Sequence, residues 1–488
     1  MSIDTSRKKG NILSVFFWKF AERCAAQGVT LLVTIILARL LMPSDYAVIA
    51  MVTVFTNIAD CLVTGGLGTA LIQKEDADTV DFSSMFYFSV FFGIVLYLIL
   101  FFMAPFIARF YRNELLCNVL RVLALKLPLS ALNSVQSAYV SRTMQFNKFF
   151  WATLVGTVIS AVLGIGMAYK GFGSWALVAQ NLSNTTIDTL FLFIIIPWRP
   201  TLEFSYSRLK RLLNFSWKLM ISEVINSIYN EMRSLVVGKV YTPDELSFYN
   251  QGEKYPKFIV NLLQATISSV IFPAMAYKQN VIEDLKAVTR KAITVSLFIM
   301  VPLMMGFAAV APSVVSIFLT DKWLDCVPFL QIACFCQMLL PVQSTNLQAI
   351  NAVGRSDLYL KMEILKKLFG VLTILLFFRV GILQLAISSI AVTVFATIVN
   401  TTPNKKLLGY TRKEQLIDII PNILIGAVMF GSVYWVNYTS WGNCIKLLVQ
   451  VILGAIVYCL LSFIFKLSGF RYSLEYCKGF VKKIKGGK

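Results

Sequence analysis

Apolar runs near 20 residues long recur from one end of this chain to the other, and no other feature restricts its fold so tightly. A helix of about 20 apolar residues crosses the hydrocarbon core of a bilayer, and inside lipid every backbone N–H and C=O must be paired within the segment. Composition agrees: charged residues make up 14% of the chain, whereas a soluble domain carries roughly 25%. The expected fold is an all-α polytopic membrane protein with about fourteen spans. They are placed at 14–41, 45–65, 82–107, 115–140, 149–169, 174–197, 212–238, 246–272, 289–311, 326–350, 358–378, 382–402, 416–436 and 443–465. The connections are too short to hold a folded domain, so function has to reside within the membrane region.

A net charge of +20 would suggest a nucleic-acid partner in a soluble protein. Here the basic residues sit between spans, which points to membrane orientation and to no nucleic acid. With the N-terminus in the cytoplasm, cytoplasmic segments hold 29 Lys and Arg and external loops hold 8. That bias supports an even number of spans with both termini cytoplasmic. The opening Arg7, Lys8 and Lys9 followed by apolar residues resemble a signal peptide. The charges inside the first span and the lack of a small-residue cleavage site argue for a retained helix instead. The basic tail, Lys478 to Lys488, reads as a topological anchor near lipid headgroups.

Several chemistries are unsupported. The nine cysteines are scattered without a CxxC pair, and histidine is absent. This removes the usual zinc ligands, general base and pH switch, so any proton coupling would have to use carboxylates. There is no HExxH, GxSxG or P-loop. No enzyme activity, metal or cofactor is expected. Gly65-Gly66-Leu67-Gly68 lacks the strand-and-helix context of a dinucleotide site and reads as a helix breaker.

The polar residues within the spans are not scattered. In the first span Lys19, Glu22, Arg23 and Gln27 share one helical face. A charge at the bilayer centre costs roughly 2.5 to 3.5 kcal/mol on insertion scales. Either Lys19 and Arg23 lie shallow and snorkel to the interface, or the stripe lines a hydrophilic cavity. Span two adds Asn57, Asp60 and Thr64. Span four has Arg121, Lys126 and Gln136, and span six Gln180, Asn184 and Asp188. Span seven carries Glu223, Asn226, Asn230 and Arg233, and span eight Asn250, Glu253, Lys254, Lys257, Asn261 and Gln264. Any single amide in such a set is accounted for by interhelical hydrogen bonding. The within-span charges carry a basic surplus, which suits an anionic ligand.

An internal repeat ties spans one and two to spans seven and eight. Ile36-Leu-Ala-Arg-Leu-Leu-Met-Pro43-Ser-Asp45-Tyr46 aligns without a gap to Val236-Val-Gly-Lys-Val-Tyr-Thr-Pro243-Asp-Glu245-Leu246. Each copy reads as a helix stop, a proline and an acidic helix start. Six spans separate the copies, so both have the same orientation, the plan of a two-lobed transporter with a parallel repeat. The expected organisation is an N-terminal lobe at 1–200, a C-terminal lobe at 201–402 and two extra spans with a basic cytoplasmic tail at 403–488. The two lobes, each of six helices, would enclose a central cavity.

Several stretches resemble the Wzx-like polysaccharide exporters of the MOP flippase superfamily, which also contains MATE drug exporters and the lipid II flippase. They are Trp18 to Gln27, the first repeat copy at 36–46, Gly66-Leu-Gly-Thr-Ala-Leu-Ile-Gln73, Ser141-Arg-Thr-Met-Gln-Phe-Asn-Lys148, Asn230 to Gly238 and Leu246-Ser-Phe-Tyr249. The resemblance covers nearly the whole chain. It implies a flippase of the bacterial inner membrane, moving undecaprenyl-diphosphate-linked oligosaccharide units from the cytoplasmic to the periplasmic leaflet by alternating access. It further implies membrane lipids and polysaccharide polymerase machinery as partners, and a proton or sodium ion for coupling. On that reading Arg23, Arg233 and Lys254, with Lys19, Gln27 and Lys257 beside them, contact the diphosphate. Glu22, Asp60, Glu223 and Glu253 either take part in coupling or hold those cations in place. A MATE-like cation-coupled drug antiporter shares the fold plan. It would more naturally offer an acidic cavity, whereas the surplus here is basic.

Overall fold

In lipid no hydrophobic force draws one apolar helix to another, so close packing and buried polar contacts must hold a bundle together. The sequence supplies both. A computed structural model describes the chain over residues 12–277 and 281–472, with side chains from residue 25 onward except at 262, 264–274, 276–277 and 356. The described residues are helical throughout, with no strand.

Unit one, Met1–Ser247, contains α1 (Ile12–Leu40), α2 (Pro43–Thr64), α3 (Leu67–Gln73), α4 (Thr79–Tyr111), α5 (Leu115–Leu123), α6 (Lys126–Thr143), α7 (Phe146–Tyr169), α8 (Ser174–Ile195), α9 (Tyr206–Val240) and the first turn of α10 (Pro243–Tyr277). Unit two, Phe248–Lys488, continues α10 and adds α11 (Ile282–Val314), α12 (Val327–Gln337), α13 (Leu340–Ala352), α14 (Ser356–Phe377), α15 (Ile382–Thr401), the short α16 (Asn404–Leu408), α17 (Arg412–Trp435) and α18 (Asn443–Ile464).

Nine helical stretches among the described residues are long and apolar enough to cross a membrane: 43–73, 79–111, 115–143, 146–169, 282–319, 321–352, 382–408, 412–438 and 443–464. Five more helices, α1, α8, α9, α10 and α14, occupy the remaining expected spans. Polar and charged residues interrupt α8, α9, α10 and α14, whereas α1 is apolar over Ala25–Leu40. The α2–α3 and α5–α6 stretches each cross as two helices joined by a short break. The protein is a multi-pass helical membrane protein.

The packing inverts the pattern of a soluble helix. On α18 the buried line is Gln450, Gly454, Tyr458 and Ser462, one turn apart. Ile445, Leu448, Val451, Ile452, Ile456 and Leu460 are exposed. Lipid takes the apolar side, while Gln450 donates to Asn437 Oδ1 at 2.9 Å and the Tyr458 hydroxyl to the Phe298 carbonyl at 3.1 Å. Small residues allow close approach elsewhere in the same way. Gly156, Ser160, Gly164 and Ala168 are buried along α7, and a Cβ at Gly164 would fall 2.9 Å from Gln180 Cβ on α8. In unit two a Cβ at Gly252 on α10 would fall 2.6 Å from Phe329 Cβ on α12. At one end of unit one, Phe82, Tyr139 and Trp198 form an aromatic cluster, with Phe82 and Trp198 centroids 5.7 Å apart.

Candidate functional site

Both copies of the repeat fold into the same local structure. Pro43 and Pro243 each open a helix, where a missing N–H is harmless. Two residues later an acid closes the turn. Asp45 Oδ2 accepts the Met42 N–H at 3.1 Å, and Glu245 Oε2 accepts the Thr242 N–H at 2.8 Å. Asp45 uses its other oxygen to accept the Ser174 hydroxyl at 3.0 Å. A Cβ at Gly173, whose φ is +54°, would lie 2.7 Å from that oxygen, so glycine is required there. Ser247 donates its hydroxyl to the Pro43 carbonyl, which ties one copy to the other within unit one. Lys239 lies 3.9 Å above the Phe110 ring and donates to the Phe110 carbonyl. The repeat motif is therefore occupied in building helix ends.

The far end of α2 is equally committed. Gly66 has φ +93° and breaks α2 from α3, as a helix breaker should. A Cβ there would sit 2.9 Å from the Ser216 carbonyl oxygen on α9. Arg142 donates to the carbonyls of Leu71, Lys74 and Glu75 and so caps α3. Asp81, whose side chain is fully buried, pairs with Lys74, and Asp78 pairs with Arg208. The stretches 66–73 and 141–148 thus serve turns and packing.

The middle of the spans differs. On the α2–α9 seam Asn57 donates to Glu231 Oε1 at 3.1 Å. One turn along α2, Asp60 is half-buried and its Oδ1 has no hydrogen-bond partner among the described residues. Glu223 is exposed and packs beside Gly65, where a Cβ would lie 3.3 Å from its own Cβ. Arg233, further along α9, is half-buried. On α1 Gln27 is half-buried and its Oε1 also lacks a partner among the described residues. The side chains of Lys19, Glu22 and Arg23 lie outside the described residues. In unit two Lys257 donates to Glu253 Oε2 and the Tyr249 hydroxyl to Glu253 Oε1, both at 2.6 Å. Lys254 is exposed and has no ion pair among the described residues. The structure therefore brings Asp60 and Glu223 onto neighbouring helices and joins Glu253 to Lys257.

A second polar cluster lies between α6 and α8. Asn133 donates to Asp188 Oδ2 at 3.0 Å and accepts from the Ser137 hydroxyl at 2.8 Å. Asp188 Oδ1 and both polar atoms of the fully buried Gln136 have no partner among the described residues. Asn133 escaped the reading of the sequence, although Ser130, Asn133 and Gln136 follow at helical spacing and would have marked it. Arg121, counted among the basic surplus, is taken up by Phe101. Its guanidinium lies 4.3 Å from the ring centroid and its Nε donates to the Phe101 carbonyl at 3.3 Å.

Chemically, these faces offer polar and charged groups for binding. No group of His, Cys, Asp or Glu among the described residues is placed to hold a metal. A buried carboxylate oxygen without a donor costs several kcal/mol unless water, a cation or a ligand reaches it. Asp60 and Asp188 meet that condition without a cation at ion-pair distance among the described residues, so their surroundings suit a wet interior.

Comparisons with known proteins agree on the class. The chain is similar to the succinoglycan biosynthesis transport protein ExoT of Rhizobium meliloti, 23% identical with 69% of this chain and 68% of that protein covered. It is similar to the teichuronic acid biosynthesis protein TuaB of Bacillus subtilis, 23% identical with 83% and 86% covered. It is also similar to the lipopolysaccharide biosynthesis protein WzxC of Escherichia coli, 24% identical with 72% and 71% covered. Among solved structures, the lipid II flippase MurJ in an inward closed conformation superposes with a TM-score of 0.75 at 14% identity, covering 93% of this chain and 98% of that one. An inward-facing multidrug resistance MATE transporter of the MOP superfamily gives 0.59 at 16% identity, covering 85% and 95%. These likenesses establish the fold of that superfamily. The model of the polysaccharide biosynthesis protein family matches residues 36–328, well over half of the chain, and the chain belongs to that family.

Proposed function

We propose that this protein is a flippase of the bacterial inner membrane, with both termini in the cytoplasm. It carries undecaprenyl-diphosphate-linked oligosaccharide repeat units to the periplasmic leaflet by alternating access. The observation that carries this reading is the family match over residues 36–328. The within-span polar residues suggest how the work is done. A diphosphate is anionic, and Arg233, Lys254 and Lys257, together with Lys19, Arg23 and Gln27, form the basic and polar faces of α1, α9 and α10. Arg suits forked contacts to phosphate and Lys supplies a point charge. Lys257 is partnered by Glu253, which leaves Lys254 the more available cation on α10. Asp60, Glu223, Glu22 and Glu253 either couple a proton or sodium ion or hold those cations in position. An inside-negative potential favours outward movement of an anion by roughly 2.3 kcal/mol per charge per 100 mV, which can drive the loaded step.

The test is lipid-linked oligosaccharide accumulation in a deletion strain, complemented with the wild type and with Arg233→Gln and Lys254→Gln variants. The wild type should clear the cytoplasmic-leaflet pool, and the variants should leave it high at normal abundance. Full complementation by both variants would reject these residues as phosphate contacts. Failure of the wild type to clear the pool, with restored resistance to cationic drugs, would reject the substrate.

A further inference from the structure

The first turns of α14 and α17, the end of α15 and the short α16 line an open, largely apolar depression of about 900 Å³ in unit two. Five of its ten lining residues are cationic, Arg355, Lys405, Lys406, Arg412 and Lys413, and none is acidic. These residues come from two connections that the charge bias places on the cytoplasmic side. We propose that this cavity is a binding site for a phosphate-bearing group, separate from the polar faces of α1, α2 and α9.

Two observations lift the cluster above an ordinary basic loop. The first is that the nearby carboxylates are engaged elsewhere. Asp357 takes both hydrogen bonds of the Arg355 fork at 2.8 Å. Glu414 pairs with Lys286 at 2.9 Å and accepts from Thr411, while Asp418 pairs with Arg290 at 2.7 Å. Lys405, Lys406 and Lys413 make no ion pair among the described residues, so their charge is left for an anion.

The second is that the backbone bearing these lysines is fixed. Asn404 is fully buried and donates to Asn346 Oδ1 at 2.6 Å. Tyr410 is fully buried and donates to Asp418 at 2.7 Å. Gln415 donates to the carbonyls of Thr401 and Tyr410, and Arg412 to the Thr402 hydroxyl at 2.7 Å. The left-handed Gly409, φ +64°, turns the chain between α16 and α17. Three lysines on a held backbone, with Arg412 oriented by Thr402, give several charge-assisted donors to a phosphate, and the ordering cost falls on the lysine side chains alone. The volume exceeds a lone phosphate and, because most of the lining is apolar, leaves space for an attached apolar group. Leu360 and Ile364 of α14 are exposed one and two turns beyond the cavity, so a phosphate arriving on a lipid would have a path for its chains. A soluble diphosphate offers the same chemistry from the aqueous side.

The experiment uses the full chain in nanodiscs of phosphatidylcholine, titrated calorimetrically with inorganic pyrophosphate. It is repeated in discs containing phosphatidylglycerol, with retained lipid counted by native mass spectrometry. The wild type should bind pyrophosphate, more weakly as salt rises. The triple variant Lys405→Gln, Lys406→Gln, Lys413→Gln should lose about tenfold in affinity or more, as expected from removing charge-assisted bonds. The corresponding triple Lys→Arg variant should retain binding. Competition by phosphatidylglycerol, with lipid retained by the wild type and lost by the triple Gln variant, assigns the site to a lipid headgroup. Undiminished pyrophosphate binding in those discs assigns it to a soluble phosphate. A Lys210→Gln, Arg211→Gln variant, which removes two exposed charges from unit one, serves as the control. Equal loss in that control, or no binding of either probe, would overturn the proposal.

Discussion

At the loop end of α4, the buried Asp81 meets Lys74, and Arg208 reaches both Asp78 and Asp81. One turn before the end of α2, inside the apolar stretch 43–73, and in the last third of α8, Asp60 and Asp188 have no cation at ion-pair distance among the described residues, and each leaves one oxygen without a donor. The same residue type is treated in opposite ways within one unit. At the ends, acids are paired or spent on caps, as at Asp45, Glu245 and Glu414. Within the spans the treatment is mixed: Glu253 is paired with Lys257, whereas Asp60 and Asp188 are left part-satisfied. A bundle selected only for stability would reverse this, because an unpartnered acceptor costs most where water is scarcest. The difference separates acids that hold helix ends from acids whose second oxygen is left for water or a ligand.

Four substitutions and a pH series bear on that contrast. Asp81→Ala leaves Lys74 without its buried partner and should cost about 3 kcal/mol of stability, toward the low end for breaking a buried pair because Lys74 is partly exposed. Membrane abundance and a detergent melting curve report it, and an unchanged melt would break the comparison at its stable end. Gly66→Ala forces a Cβ to 2.9 Å from the Ser216 carbonyl oxygen at a left-handed φ, with an expected loss of about 2 kcal/mol in the same assay. Gln136→Leu removes two buried polar atoms that lack partners and should stabilise the protein by about 1 kcal/mol. A large destabilisation instead would mean that Gln136 is satisfied in the working protein. Asp60→Asn should leave the melting temperature unchanged while lowering translocation, and a shift in the melt without loss of transport would place Asp60 among the structural acids.

The smallest effect is that of acid on the helix ends. Burial works to raise the Asp78 carboxyl, but hydrogen bonds from Arg208 and the Asp81 N–H outweigh it and hold it at about 2. Unfolded Asp titrates near 3.9. Asp78 therefore stabilises the folded state fully above about pH 4 and loses that contribution as pH falls toward about 2. Melting curves should be insensitive to this group from pH 8 to 5 and fall below about pH 4. Asp78→Asn should show a shallower fall, and an equal fall in that variant would remove Asp78 from the clamp.

The sequence disclosed the helices well because span length and backbone pairing in lipid leave few alternatives. The fourteen expected spans each coincide with a helical stretch, and α8, α9 and α14, which carry polar or charged residues, fall outside the nine most apolar stretches. The repeat was legible because proline and an N-terminal acid have local meanings that survive without tertiary context. The site was less legible. Period and residue type identified Asp60, Glu223 and Gln136, but which acceptors stay unpartnered depends on neighbours far along the chain, such as Glu231 facing Asn57. Sequence spacing also could not show that Arg121 is taken up by Phe101, nor that Lys405 and Lys413 share one cavity.

Under the proposed function, charged groups inside the spans carry an anionic lipid-linked sugar across the membrane. The direct measurement is translocation of undecaprenyl-diphosphate oligosaccharide in proteoliposomes under an imposed potential, for the wild type and an Arg233→Gln, Lys254→Gln variant of equal abundance and melting temperature. The wild type should be accelerated when the potential draws the anion toward the periplasmic face, and the variant should be slow and lose most of that response. Equal rates and equal voltage response in the two proteins would contradict it.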